Sequence, residues 1–348
     1  MAGLETEKRI ALQAVQRACR LAQTVFHQGL ALSSIAVKDD CSPVTVADFG
    51  VQALINALLR EVFPQDRVLA EESSELLSSN QHLLEKVWSL VSQTLEAEDK
   101  GVGYIQGRQD LVQAIEHAGR DGTESLDGDT CGRSVRGSSR CWVIDPIDGT
   151  KGFVRGGQYA VCLALLQNGQ PSLGVLGCPN LHKNENDNRL GVVFYACKGE
   201  GAYQATLNGS DECLIHVNRI ENVVDARVCQ SLAPGHSALE THRRIIGLLG
   251  ITKPPMELDS QVKYALLARG ESDIYLRLPV DPNYHEKVWD HAAGALIVEE
   301  AGGIVTDAYG EALDFSKGKR LSENHGIVAA SKYLHAKVLE AVTFILKK

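Results

Sequence analysis

The chain opens with apolar residues at helical spacing. Ile10, Ala14, Ala18, Leu21 and Val25 recur every three or four positions, so residues 4–30 are predicted as one long amphipathic helix. A polar turn follows in 38–50 (KDDCSPVTVADFG), with a short extended piece around Val44 and Val46. From Asp48 the helical period returns. Val51, Leu54, Ile55, Leu58, Leu59 and Val62 form one stripe, and Pro64, which cannot continue a helix, stops it. RVLAEES (67–73) reads as a short strand running into two acids.

The pattern then changes. Residues 100–140 lose apolar content, gain Gly, Ser, Arg and Asp, and read as an exposed inserted loop. Strand-like runs resume at 141–145, 160–166, 173–177, 191–197 and 202–205, with KGEG (198–201) as a hairpin turn. Strand after strand, preceded by two helices, predicts a mostly antiparallel sheet covered by helices. From about residue 220 the signals alternate: RVCQS, a helix at 238–250, ALLARG, IYLRL, a helix at 290–301, GIVT, GIVAAS and a last helix at 332–346. That alternation predicts an α/β half. The expected organisation is an N-terminal α+β domain over 1–220 and a C-terminal α/β domain over 221–348.

Composition narrows the function. Apolar residues at 44% and charged residues at 23% suit a water-soluble globular chain. With 35 basic and 44 acidic residues the formal charge is −9, which argues against a nucleic-acid polymer as partner. A small phosphorylated ligand remains open, because a metal ion and a few Lys or Arg can meet it locally. No apolar run approaches the ~20 residues of a membrane span, and the acidic N-terminus lacks a signal-type core. A cytoplasmic location without membrane contact is therefore expected, and a monomer is compatible with the pattern. The nine cysteines are scattered and read as reduced thiols, with Cys131 and Cys141 the one pair that oxidation would join.

Candidate chemistry lies in four separate places. Asp48 ends VTVAD, Glu71 and Glu72 end LAEE, Asp145 and Asp148 bracket IDPID, and Asp290 follows Trp289. Each has an ordinary reading. Asp48 can cap its helix, the Glu pair the next helix, and Asp290 can sit in a first helical turn. Asp145-Pro146 can be a solvated turn. In the other reading, Pro146 forces a turn that aims Asp145, Asp148 and the Ile147 carbonyl at one point. Such an all-oxygen cluster suits a hard cation, Mg²⁺ above all. Gly149 then allows close backbone approach, and the amides of Gly149 and Thr150 can hold a phosphate oxygen. Arg277 in IYLRLP is a lone cation in an apolar strand and requires an anionic partner.

Taken together, DPIDGT (145–150), AEES (70–73) and WDHAAG with EEAGG (289–303) resemble the inositol monophosphatase superfamily of lithium-sensitive, Mg²⁺-dependent phosphomonoesterases. SPVTVAD (42–48), LDSQVKY (258–264), IYLRLP (274–279) and EKVWDHAAG (286–294) narrow the resemblance to its 3′(2′),5′-bisphosphate nucleotidases of plant and yeast type. The resemblance implies a layered α-β-α-β-α sandwich, of the kind shared with fructose-1,6-bisphosphatase, and two or three Mg²⁺ ions. It implies Glu71, Asp145, Asp148, Asp290 and the Ile147 carbonyl as metal ligands, and Asp48 with Thr150 as the pair that activates water. Gly149 and Thr150 would hold the scissile phosphate. His236 would face the base, and Ser260, Lys263, Arg277 and Asp290 would complete substrate binding. The implied reaction is hydrolysis of the 3′-phosphate of adenosine 3′,5′-bisphosphate, and of 3′-phosphoadenylyl sulfate. Inositol polyphosphate 1-phosphatase or inositol monophosphatase activity is the alternative. A non-catalytic nucleotide sensor is a third reading.

Overall fold

Three hydrophobic cores, stacked one above another, organise the chain. The computed structural model describes residues 3–29, 36–37, 43–96, 105–120, 140–184, 186–232, 238–281 and 283–347. Its first part contains α1 (Glu5–His27), a small pair β1 (Ala36–Val37) and β2 (Pro43–Val44), and α2 (Val46–Val62). β3 (Arg67–Ala70) is followed by α3 (Glu75–Ser79), α4 (Gln81–Glu96) and α5 (Arg108–Arg120). Then come β4 (Arg140–Asp148), α6 (Thr150–Val154), β5 (Ala160–Gln167), β6 (Gln170–Asn184), β7 (Asp187–Cys197), β8 (Gly201–Thr206) and β9 (Cys213–Ile215). Strands β3 to β9 form one seven-stranded sheet in sequence order, antiparallel except for the parallel pair β3/β4.

The second part supplies β10 (Val228–Ser231), α7 (Leu239–Leu248), β11 (Met256–Leu258), α8 (Val262–Ala268), β12 (Ile274–Arg277), α9 (Ala292–Glu300), β13 (Gly303–Thr306), β14 (Ile327–Ser331) and α10 (His335–Leu346). Its five-stranded sheet has the order β11-β10-β12-β14-β13, with β10 parallel to both neighbours and β14 antiparallel to both of its own.

Alternation along β4 explains the layering. Trp142 and Ile144 face the outer core with α1, α2, α4 and α5, while Cys141 and Val143 face the middle core. α8 and α9 fill that middle core between the two sheets. On β12, Tyr275 faces the middle core, whereas Ile274 and Leu276 face a third core closed by α7 and α10. The result is the layered α-β-α-β-α sandwich. Each fully buried aliphatic or aromatic side chain in it contributes roughly 1.5–3 kcal/mol. Among the described residues no helix is long and apolar enough to cross a membrane.

Several expectations are corrected. The inserted loop read over 100–140 contains a helix, α5, whose Leu111 and Ile115 enter the outer core. α4 was not anticipated, although Leu83, Leu84, Val87, Leu90 and Val91 give it a helical stripe. ALLARG (265–270) is not a strand: it starts inside α8, which ends at Ala268. Pro146 does not make a turn: β4 runs on to Asp148, with its register against β5 shifting between Asp145 and Asp148. Asp48 is not the cap of its helix. Thr45 is, and Asp48 is the third helical residue of a capping box. Asp290 lies in a short 3₁₀ turn before α9. Cys131 and His236 lie outside the described residues, and Cys141 is buried.

Candidate active site

Parallel pairing of β3 with β4 brings the first acids together. Ala70 is in register with Ile144, and the Glu71 N–H donates to the Ile144 carbonyl at 3.2 Å, so Glu71 leaves its strand beside Asp145. Asp145 is buried, and its Oδ1 has no hydrogen-bond partner. Burial pushes its carboxyl well above the usual range, and the charges of Glu71, Asp148 and Asp290 push it further. Asp148 is pushed up to about 7 by burial and by Asp290, against the opposing pull of Lys263, the Gln261 N–H and Arg277. Asp290 is raised as well, mainly by burial. Acids at the end of β3, in β4 and in the turn before α9 thus feel one another's charge. Protonation would relieve this in the isolated chain, and so would a cation.

The capping box sets a second feature. Asp48 is fully buried, and its Oδ2 accepts from the Thr45 N–H at 2.8 Å and the Thr45 hydroxyl at 2.7 Å. Its Oδ1 therefore faces Thr150, whose hydroxyl lies at 3.5 Å from it and at 3.1 Å from the Ile147 carbonyl. The shorter contact is to the carbonyl. The Asp48 contact is at the limit of a hydrogen bond and must tighten for a proton to pass. Gly149, between the acid pair and α6, has φ +83°, and a Cβ there would stand 3.0 Å from the Ser260 Cβ. Glycine thus allows the segment 258–261 of the second part to close on the DPIDGT motif.

That segment carries the basic side of the site. Ser260 is itself left-handed at φ +65°. Lys263 is buried, and its Nζ donates to the carbonyls of Leu258 (3.1 Å) and Ser260 (2.7 Å), with the Tyr275 ring 5.5 Å away. Burial lowers its pKa to about 8, although Asp148 acts in the opposite direction. Arg277 lies 2.6 Å from Glu286 and 3.4 Å from Asp290. The anion that a lone Arg in an apolar strand requires is therefore supplied first by Glu286, within the protein. Burial pushes Glu286 up, but Arg277 and His291 outweigh it and hold the carboxyl at about 2.

Eleven of the twelve sequence-derived site positions are described, and the structure brings them to the junction of the two sheets; His236 is the one outside the described residues. Sequence reasoning missed Glu286, Asp259 and Gln261. Asp259 pairs with Arg155 at 2.6 Å, and Gln261 donates its backbone N–H to Asp148. Both stand in LDSQVKY, but an acid and an amide in a loop carry no periodic signal of their own.

Two cation settings follow from this geometry. Among the described residues, Glu286, Asp290 and His291 bring one ligand atom each within 4.8 Å of one another. There the Arg277 guanidinium already serves as cation, and His291 Nδ1 is engaged by the Tyr264 hydroxyl at 2.8 Å. By contrast, Asp145 retains a buried oxygen without a partner, and Glu71, Asp148 and Asp290 lie near enough for their charges to act on it; hard oxygens of this kind suit a divalent cation such as Mg²⁺, although among the described residues no three of these four carboxylates bring ligand atoms within 4.8 Å of one another.

Fold and site together define a class: the chain belongs to the inositol monophosphatase family, whose pattern matches residues 4–347. Among its relatives, a 3′(2′),5′-bisphosphate nucleotidase of Schizosaccharomyces pombe is 40% identical over 99% of this chain and 97% of its own length. A second protein of the same description, from Emericella nidulans, is 42% identical over 99% of both chains. In fold the chain is similar to an inositol monophosphatase from Zymomonas mobilis, with a TM-score of 0.61, 22% identity and coverage of 99% and 100% of the two chains.

Proposed function

We propose that this protein is a Mg²⁺-dependent phosphomonoesterase that hydrolyses the 3′-phosphate of adenosine 3′,5′-bisphosphate to AMP and phosphate, and acts likewise on 3′-phosphoadenylyl sulfate. The observation that carries this reading is buried Asp145, with an unpartnered oxygen, surrounded by the charges of partly buried Glu71, Asp148 and Asp290. The names of relatives at 40% and 42% identity support the nucleotide as substrate.

Glu71, Asp145, Asp148, Asp290 and the Ile147 carbonyl would hold two or three Mg²⁺ ions. When bound, such ions supply an acidified water and neutralise charge on the phosphoryl oxygens. The chain's own residues do the rest. The Thr150 hydroxyl, between Asp48 Oδ1 and the Ile147 carbonyl, orients the attacking water and passes its proton to Asp48 as general base. The amides of Gly149 and Thr150, at the start of α6, hold a phosphate oxygen. Ser260, Lys263 and Arg277 bind the remaining sugar and 5′-phosphate, and His236 faces the base. Lys263 suits this role because its Nζ donates to the neutral carbonyls of Leu258 and Ser260, which leave its charge available to an anion. We further propose that the chain divides near residue 220 into two domains, with the site between them.

Phosphate release from a panel of substrates tests this reading. Turnover of adenosine 3′,5′-bisphosphate well above that of inositol phosphates, dependent on Mg²⁺ and depressed by Li⁺, is expected. Preferential turnover of an inositol polyphosphate would transfer the same chemistry to a polyol substrate. Absence of phosphate release from every member would leave a non-catalytic sensor.

A further inference from the structure

We propose that Gln261 is a positioning residue that sets the distance between the Asp148 and Asp290 carboxylates, and thereby the affinity of the site for divalent cations. This rests on the metal-binding reading of those acids given above.

Asp148 comes from the seven-stranded sheet and Asp290 from the turn before α9, so no common element fixes their separation. Gln261 bonds to Asp148 itself and to the backbone on either side of Asp290. Its backbone N–H donates to Asp148 Oδ2. Its side-chain Nε2 donates to the Trp289 carbonyl at 2.8 Å, and its Oε1 accepts from the Gly294 N–H at 2.9 Å. Trp289 directly precedes Asp290, and Gly294 lies in the first turn of α9, so one amide spans the segment that carries the acid. The residue is 2% exposed, and water cannot readily substitute for it.

The orientation of this amide is fixed by its partners. A carbonyl can only accept and an N–H can only donate, so the amide has one satisfying orientation. The first N–H groups of a helix have no partner within it, and α9 has no side-chain cap from its own N-terminal residue. Gln261 provides that cap from another element. It joins helix start, acid-bearing turn and opposing acid in one rigid unit. Gly294 also permits the approach: a Cβ there would stand 2.4 Å from the Tyr264 ring.

The test separates positioning from simple structural support. Gln261→Met keeps the volume and the backbone N–H but removes both side-chain bonds. Gln261→Glu keeps an acceptor for Gly294 but sets a carboxylate oxygen against the Trp289 carbonyl. Each variant is measured for Tm with chelator and across a Mg²⁺ titration, and for kcat and KM across the same titration. Partners that orient ligating side chains typically set affinity by about 10–100-fold. The Mg²⁺ concentration giving half of the Tm rise, and half of kcat, is therefore expected to increase by at least about tenfold in both variants, with KM at saturating Mg²⁺ little changed. A lowered Tm in chelator with an unshifted Mg²⁺ midpoint would make Gln261 merely structural and overturn the proposal. If Gln261→Met does not fold, Gln261→Glu decides alone. If the wild-type Tm does not respond to Mg²⁺ at all, the metal-site reading falls first and the positioning role falls with it. Normal Mg²⁺ response in wild type with unaltered variants removes only the latter.

Discussion

The two sheets meet at the site with opposite electrostatic conditions. On the seven-stranded side, Asp145 and Asp148 stand among other acids, whose charges raise the proton affinity of both. On the five-stranded side, Arg277 and Glu286 neutralise one another at 2.6 Å, and Glu286 stays ionised. The first arrangement is unstable on its own and calls for a cation from outside. The second pairs its charges within the protein, although Arg277 Nε has no hydrogen-bond partner. An ion pair thus stands on one side of the candidate site and a cluster of like charges around buried Asp145 on the other, the kind of arrangement that marks functional sites.

The largest expected effect breaks the acid side. In the metal-binding role proposed for Asp145, its carboxylate would supply several kcal/mol of transition-state charge stabilisation, so phosphate release by Asp145→Asn should fall on the order of 10³-fold. Because a like charge is also removed, Tm in chelator should stay level or rise. A fall in Tm would mean that Asp145 is a structural acid. The next effect breaks the paired side. Arg277→Ala leaves buried Glu286 with only the His291 ring, at 3.4 Å, as its partner, which should cost about 3–5 kcal/mol in denaturant unfolding. A cost below 1 kcal/mol would show that solvent reaches Glu286.

Lys263→Met sharpens the comparison. Removing a charge that has only carbonyl partners should raise KM for adenosine 3′,5′-bisphosphate by about 10–100-fold, as expected for a lost charged hydrogen bond. KM for a simple phosphate monoester should change far less. Equal changes for both would place Lys263 outside the recognition of a second phosphate. The smallest effect concerns pH. In metal-free protein the folded Asp148 value of about 7 lies above the ordinary 3.8. Its stabilising contribution is complete below about pH 4 and lost as pH rises through 7. Tm in chelator should therefore decrease by a few degrees between pH 5 and 8. Saturating Mg²⁺ should flatten or reverse that slope, since cation and proton compete for the same oxygens. An unchanged slope would separate the acids from the metal.

The two sheets also differ in how much of them could be read from the sequence. Helical stripes and alternating strands made α1, α2 and β4 to β8 legible, because one side of each faces a core and the other does not. Asp145, Asp148, Asp290 and Arg277 were legible as residue types beside apolar segments, whereas Lys263 entered only through the family resemblance. Their mutual placement was not, because it depends on pairing between distant strands such as β3 and β4. Pro146 misled: local stiffness suggested a turn, but pairing with β5 carried the strand through it. Asp48 was legible as a helix-start acid, whereas its use by Thr45 required the capping box to be seen. Glu286 and Gln261 lie in loops, where no periodicity marks a residue whose partners are all remote in the chain.

The most direct measurement is anomalous diffraction from crystals of the wild-type protein soaked in Mn²⁺. A metal peak bound by Asp145 and shared with Asp148, Asp290 or Glu71 is expected, with Arg277 still paired to Glu286. A peak confined to Glu286 and His291, or no peak near Asp145, would contradict a cation site formed between the two sheets.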